Sequence, residues 1–436
     1  MEKSFSLPIT LSCATLVMAG LVPSGLAQGY QPVAQLEEGP RSFFDAEAED
    51  SLAKFLNWGA LNARPHAELK AYYDSNLTLS DQREEEDFIW RISPGIEFGV
   101  GEFRGEKGNY VTLDYTMTGS IYTKYSDYNA LDHDVAMRAG WRTAKFTANL
   151  LQSYTTSNGK QVESGSFVDQ EVYLTGLAMK YDVSDKTFAE LNGRQSLVNS
   201  ESVIRDGPNE ELTSVNEWAV EAWFNYKFSE KVSIGAGPTV GWRDLHDHTE
   251  PDTVPAPPAI SGIDSPNQTF EQFLVKGSYL LSDKLAFVGA TGLQFSQFQG
   301  DEDEGPNLVL ELGGTWKAQQ NTQVSLNAYR RDQVSYSIVS ENYFATGFRA
   351  TLQHQFREKY FFTLQGGYEN LDFYGTADAV ESNRNDDYFW LSPVAAFQAD
   401  DHTTVGVFYQ FRDRNSDELG FDFVNHQVGL FAKYVF

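Results

Sequence analysis

A chain of 436 residues with a formal net charge of -28 and 41% hydrophobic residues is long for one globular core but within reach of a single large barrel or sandwich. The acidic balance excludes nucleic acid as a partner, because phosphate binding needs clustered Lys and Arg. Beyond the first residues no run of eighteen consecutive apolar residues occurs, which excludes an inner-membrane helix protein; any membrane role must use strands. The 31 Phe and 22 Tyr exceed what a core alone explains, since aromatics also gather at membrane interfaces.

Residues 1–27 have the form of a secretory signal peptide: Lys3 supplies the positive charge, Leu7 to Val22 an apolar region interrupted by Pro8, and Gly25-Leu26-Ala27 a small-x-small cleavage site. Gln28 is then the expected first mature residue. The single cysteine, Cys13, lies inside the signal, so the mature chain does not rely on disulfides. Residues 28–61 form an acidic piece carrying Glu37, Glu38, Asp45, Glu47, Glu49 and Asp50. Phe44, Ala48, Leu52, Phe55 and Leu56 recur at helical spacing, and Gly59 is placed to end a helix. This predicts a short amphipathic helix or a loose periplasmic arm.

From residue 62 to 436 the period is two. Trp218, Val220, Ala222, Phe224, Tyr226 and Phe228 alternate with Glu217, Ala219, Glu221, Trp223, Asn225 and Lys227. Val111, Leu113, Tyr115, Met117 and Ile121 alternate with polar residues, as do Tyr360, Phe362, Leu364 and Tyr368. Such runs have the length of tilted strands that cross a bilayer. Short polar turns recur at Val183 to Lys186, Phe228 to Lys231, Leu281 to Lys284 and Phe356 to Lys359, with weaker ones at 142–145, 319–321 and 400–402 and a Gly-rich one from Gly101 to Gly108. Longer acidic connections lie between them, at 81–87, 199–211, 245–267, 301–305 and 375–387. The expected fold is all-β: a transmembrane, antiparallel, up-and-down β-barrel of about 18 strands, with a short N-terminal arm or helix and both barrel ends on the short-turn side. Lipid offers no hydrogen bond to a strand edge, so a sheet in lipid must close on itself. In the last strand Val428, Leu430, Ala432, Tyr434 and Phe436 share one face. Gly429, Tyr434 and Phe436 make it similar to the terminal signal read by the outer-membrane barrel-assembly machinery. The expected location is the outer membrane of a Gram-negative-type bacterium, with its lipid and lipopolysaccharide as partners.

Tyr72-Tyr73-Asp74-Ser75-Asn76-Leu77, followed by an acidic loop and Phe88-Ile89-Trp90-Arg91-Ile92-Ser93-Pro94-Gly95, resembles the opening of the β-barrel porin type 2 family, with a partial echo at Asp387 to Pro393. The resemblance implies an outer-membrane barrel over residues 62–436 and leaves the cargo open; some related barrels accompany exopolysaccharide export.

The chemistry of an enzyme is not evident. There is no Gly-x-Ser-x-Gly elbow, and the seven His are scattered, with His133, His246, His248 and His402 expected in loops or turns. His246-Asp247-His248 with Glu250 and Asp252, and the acidic run Asp301 to Glu304, read as solvated loops rather than metal sites; no cofactor is expected. The polar parity of the strands is more informative. Arg91, Arg138, Arg194, Arg331, Arg349 and Arg412 fall on it and are the pore-lining candidates, together with Lys70, Arg142, Arg243, Lys276 and Lys433. Inward acids are fewer: Glu97, Asp114, Glu190, Glu221, Glu311 and Glu369. A basic lumen would favour anions, unless these charges pair with one another and brace the wall. The expected function is a passive pore for small hydrophilic solutes. A structural or export barrel serving a surface polysaccharide is the alternative, and a lipid-active barrel enzyme a third class.

Overall fold

The computed structural model describes residues 56–81, 84–102, 108–160, 167–202, 213–247, 267–299, 304–335, 341–375 and 384–436. The period-two pattern becomes nineteen strands among them. The first, β1 (Leu56–Trp58), is a three-residue stub. The other eighteen form one antiparallel ring: β2 (Leu61–Asp74), β3 (Asp87–Gly101), β4 (Tyr110–Tyr122), β5 (Ala130–Arg142), β6 (Phe146–Lys160), β7 (Phe167–Asp182), β8 (Thr187–Ser202), β9 (Thr213–Ser229), β10 (Val232–Asp247), β11 (Gln268–Ser282), β12 (Leu285–Phe298), β13 (Glu304–Gln319), β14 (Thr322–Val334), β15 (Glu341–Phe356), β16 (Tyr360–Gly375), β17 (Asn385–Gln398), β18 (Thr403–Ser416) and β19 (Phe423–Val435). Each strand pairs with the next, and β19 returns to β2 in a seam running from Gln427↔Asp74 to Val435↔His66. With strands ~4.8 Å apart and tilted by ~40°, eighteen of them enclose a backbone cylinder about 36 Å across.

The expected asymmetry of connections is present. At one end seven connections run from two residues (230–231) to four (183–186), with a longer eighth at 102–109. At the other end they run from five (299–303) to twenty (248–267). A tag inserted at Pro257, in the longest of these, is expected to be labelled on intact cells, and one at Asp283, in a short turn, only after the outer membrane is opened. Equal labelling would refute that orientation.

Strand parity places apolar side chains on the outer face. Leu113, Val220, Phe224, Ile234, Val240, Val275, Leu293, Leu312 and Leu430 are exposed there, and Phe273 is 73% exposed. Aromatics edge this band: Trp141, Tyr181, Phe228, Tyr279, Trp316, Phe356, Tyr360 and Tyr434 towards the short turns, and Phe88, Trp90, Trp218, Trp242, Phe295 and Phe389 towards the long connections. Among the described residues no helix is long and apolar enough to cross a membrane; the crossing elements are strands. A closed barrel wearing its apolar side chains outward belongs in lipid, and the chain is an outer-membrane β-barrel. Leu326 is 52% exposed on the outer face, and its neighbour Asn327 points into the barrel opposite Gly313 and Arg349. Leu326→Arg is therefore expected to cost roughly 2–4 kcal/mol in unfolding titrations, clearly more than Asn327→Arg. The reverse order would mean that the parity of β14 is misassigned.

The N-terminal boundary differs from expectation. Leu56, read as the end of a helix, lies in β1, which turns at Gly59 (φ +68°) and pairs with β2 at Leu56↔Ala63. The barrel strand opens at Leu61. The remainder of the expected arm, like the signal segment, lies outside the described residues.

Candidate functional site

In an outer-membrane barrel the place where chemistry meets solute is the lumen. Near the short turns the inner wall is polar and accessible: Arg142, Asn149, Lys317 and Asn327 are exposed. Lys70 pairs with Glu68 two residues away on β2 at 2.7 Å, Arg64 of β2 pairs with Glu97 of β3, and His66 Nε2 lies 3.4 Å from Asp114 of β4. Such a surface is stable only against water.

Towards the long connections described side chains reach across the lumen. β14 pairs with β13 from Gln319↔Thr322 to Leu310↔Arg330, and residues 331–334 continue paired with β15. The end of β14, held through β15 to β16 by pairings from Glu341↔Gly375 to Ala345↔Leu371, reaches into the barrel, and residues 341–345 are all buried. Val334 packs on Val172, Val198, Val215 and Leu245, one residue from each of β7 to β10. On the other face of the β14–β15 hairpin Tyr343 and Ala345 cluster with Leu371 and Phe373 of β16.

A buried polar network fastens the hairpin. Arg243 of β10 donates from Nη1 to Asp332 Oδ2 (2.9 Å) and from Nε to Glu217 Oε2 (2.7 Å) while lying over the Phe270 ring. Asp332 also accepts from Gln294 Nε2 (2.8 Å) and Tyr374 Oη (2.6 Å). Gln268 and Asn342 exchange two amide hydrogen bonds, of 3.2 and 3.0 Å. A carboxylate this deep is tolerable only because donors meet both of its oxygens.

A second buried group gathers at the same end of the barrel. Asp74, at the top of β2, accepts from Lys160 Nζ (2.5 Å), Asn425 Nδ2 (2.7 Å) and Gln427 Nε2 (2.8 Å). Asn76 donates to the carbonyls of Ser80 and Val424. This knot holds the β2–β3 connection inside, where Leu77 packs on Ile89 and Tyr122, and Leu79 on Tyr388 and Phe423. Arg384 and Arg414 converge on Asp386, with Arg384 between the Phe373 and Phe421 rings at 4.2 and 3.6 Å.

The six candidate arginines divide between these regions. Arg91 and Arg138 are half-buried on β3 and β5, with Arg138 opposite Thr112 and Leu151. Arg349 lies 5.5 Å from the Trp390 ring centroid, and Arg331 4.4 Å from that of Tyr329. Arg194 is ion-paired to Glu217 at 2.8 Å, with Glu221 at 3.9 Å. Arg412 is fully buried and donates to Asn425. Of the inward acids, Glu190 pairs with Lys276, and Glu369 accepts from Tyr329. Gly429, Tyr434 and Phe436 stand at the seam, where the Phe436 N–H donates to the Pro65 carbonyl (3.0 Å) and the Tyr434 and Phe436 rings flank His402.

Two histidines differ from expectation. His133 lies in β5 on the outer face, stacked on Tyr115 and bonded to its hydroxyl at 3.0 Å, because the strand extends past the turn that its polar neighbours suggested. His246 lies in β10, again within a strand longer than its apolar run. His248, Glu250, Asp252 and Asp301 to Asp303 lie outside the described residues. Among the described residues no group of three or more His, Cys, Asp or Glu side chains gathers to hold a metal. Reading the sequence missed Asp332, Asn342 and Gln268, which make the deepest contacts across the lumen; the available signal was a charged and an amide residue on the lipid parity of two adjacent strand ends.

No protein-family model and no curated protein sequence matches the chain. Several solved structures align with the chain. The FrpB iron transporter from Neisseria meningitidis aligns at 8% identity and a TM-score of 0.45, over 81% of this chain and 62% of that one, so this chain spans less than two thirds of it. OpdQ of Pseudomonas aeruginosa aligns at 10% identity and a TM-score of 0.43, over 86% and 97%. OccAB3 of Acinetobacter baumannii aligns at 12% identity and a TM-score of 0.42, over 86% and 99%. No residue role is carried over from them.

Proposed function

We propose that the barrel is a non-enzymatic outer-membrane channel for small hydrophilic solutes, passive in mechanism, belonging with the type 2 β-barrel porins that Tyr72 to Leu77 and Ser93-Pro94-Gly95 resemble. The observation that carries the reading is an eighteen-stranded wall, wide enough for an aqueous lumen, whose inner face in the short-turn half is polar and open. The basic excess of that face favours anions. In purified wild-type protein in planar bilayers we expect discrete conductance steps. The double variant Arg138→Glu/Arg349→Glu is expected to move the reversal potential in a salt gradient towards cation selectivity. High salt should weaken the shift, because screening limits each charge to about 10 Å at 0.1 M. Unchanged selectivity with lowered stability would mean that these arginines brace the wall instead.

The buried polar network at the long-connection end favours a second reading, a structural or export barrel serving a surface polysaccharide. Folded protein that never conducts, even with its inward hairpin removed, would select it.

A further inference from the structure

One rung of the outer wall carries hydrogen-bonding side chains at the depth of the lipid. Cross-strand pairing sets Met137, Gln152, Thr175, Gln195 and Trp218 in register from β5 to β9. Trp218 is exposed on the outer face, and residues directly opposite in a ladder share a face, so Gln152, Thr175 and Gln195 face outward too. Gln152 lies near the middle of β6 and Thr175 near the middle of β7. They stand between Trp141 and Tyr181 at the short-turn edge of the apolar band and Trp218 at the other. Met137, Leu150 and Leu177 surround Gln152 on that face.

Other polar groups on the outer face are answered within their own wall. Thr291 donates to the Val309 carbonyl (3.2 Å), Tyr409 is bonded to His426 (2.8 Å), and Arg330 donates to Thr346 (2.7 Å). Gln195 donates to Asn216 Oδ1 (3.2 Å). Gln152 is different. Its Oε1 accepts from Thr175 Oγ1 (2.8 Å), and among the described residues this is its only side-chain hydrogen bond. The wall therefore uses neither of the two hydrogens on its Nε2, and acyl chains offer no acceptor. An amide donates and accepts what a second amide accepts and donates. Two copies related by a two-fold axis along the membrane normal hold the same residue at the same depth, and such an isologous contact is self-complementary.

We propose that the outer wall of β5 to β7 docks a second copy of this chain, with the two Gln152 amides paired at the axis. Each Nε2 donates to the other copy's Oε1, which keeps its bond from Thr175 on its second lone pair. Met137, Leu150 and Leu177 pack around the pair and exclude lipid from it. Such docking is independent of what crosses the lumen.

Cross-linking tests it in a chain whose only natural cysteine is Cys13. Leu150→Cys keeps Gln152 and stands beside it, whereas Leu326→Cys stands on β14, far round the ring. With a hexyl-linked bismaleimide applied to outer membranes, Leu150→Cys is expected to give a homodimer band at least tenfold stronger than Leu326→Cys. In mild detergent the parent is expected to be a dimer by native mass spectrometry. Gln152→Leu should raise the dissociation constant at least tenfold and keep the heat-modifiable mobility of a folded barrel. Equal cross-linking of the two cysteines overturns the docking surface, as does a Leu150→Cys adduct with the mass of a different protein. A parent that stays monomeric, or that closes into a three-fold ring, overturns the two-fold pairing. A Gln152→Leu dimer as tight as the parent's overturns the part given to the amide.

Discussion

Arg243→Met is expected to destabilise the folded barrel by about 3–5 kcal/mol, the usual cost of leaving a buried charge without its partner. Arg243 is nearly inaccessible and answers two carboxylates, Glu217 and Asp332. Glu217 keeps Arg194 at 2.8 Å, and Asp332 keeps the neutral donors of Gln294 and Tyr374, so the loss falls mainly on Asp332. Methionine fills much of the volume over the Phe270 ring, which separates the charge effect from a packing effect. Adding Asp332→Asn should return most of the stability, because an amide in that place needs no counter-charge. Denaturant titration of the barrel refolded in lipid measures both. An Arg243→Met variant within 1 kcal/mol of the parent would mean that water reaches Asp332 and that the network is less tightly packed than described.

The second large effect is expected at the seam. Gly429 of β19 sits opposite Tyr72 of β2, and a Cβ built there would lie 2.4 Å from Tyr72 Cβ and 2.6 Å from the Ala71 carbonyl oxygen. One of these is backbone of the partner strand and cannot swing away. Gly429→Ala already requires the two strands to separate, and Gly429→Val adds branched bulk at the same point. Overpacking of this kind costs roughly 1–3 kcal/mol or more, and here it acts on the one pairing that turns a sheet into a barrel. Gly429→Val should therefore leave most of the chain unclosed in the periplasm, without the shifted mobility of a heat-modifiable barrel on gels, and Gly429→Ala should fall between it and the parent. Gly193→Ala, where a Cβ meets nothing within 4 Å, is the neutral control. Normal heat-modifiable Gly429→Val would show that the seam is looser than its register implies.

Most of the wall is legible in the sequence because lipid outside and water inside impose a period of two that nothing else overrides. Trp218 to Phe228 and Leu326 stand on the outer face that their alternation assigns, and turns such as Ser282-Asp283-Lys284 fall where a polar cluster interrupts it. The buried network at the mouth is not legible in that way. Asp332, Val334, Asn342 and Phe344 keep the alternation of their strands, yet the hairpin that carries them is buried on both faces, and a two-sided burial has no periodic signature. Their partners, Gln268, Gln294 and Arg243, lie on other hairpins, and only the closed ring brings them together. Asp74 and Asn76 are a related case: in the sequence they are two polar residues after a pair of tyrosines, and in the structure they tie the first long connection to β6 and β19. Arg412 and Arg194 illustrate the remaining limit, since an inward position says nothing about whether water or another side chain fills the space beyond it.

The stub β1 lies along the same edge of β2 as β19 does. β19 covers that edge from Asp74 down to His66, the Phe436 N–H reaches Pro65, and Leu56 to Trp58 take over at Ala63 and run to Leu61. One side of β2 is thus covered partly by the segment just before it and partly by a segment more than 350 residues later in the chain. During synthesis the first part is available at once and the second only at the end. Until then the upper edge of β2 is a liability, able to pair with any other unpaired strand it meets. The edge it shows meanwhile belongs to a strand crowded with Arg64, His66, Glu68 and Lys70, whose mixed charges make a poor match for a foreign strand. The resident stub occupies the foot of the edge, and its upper stretch is covered only when β19 arrives.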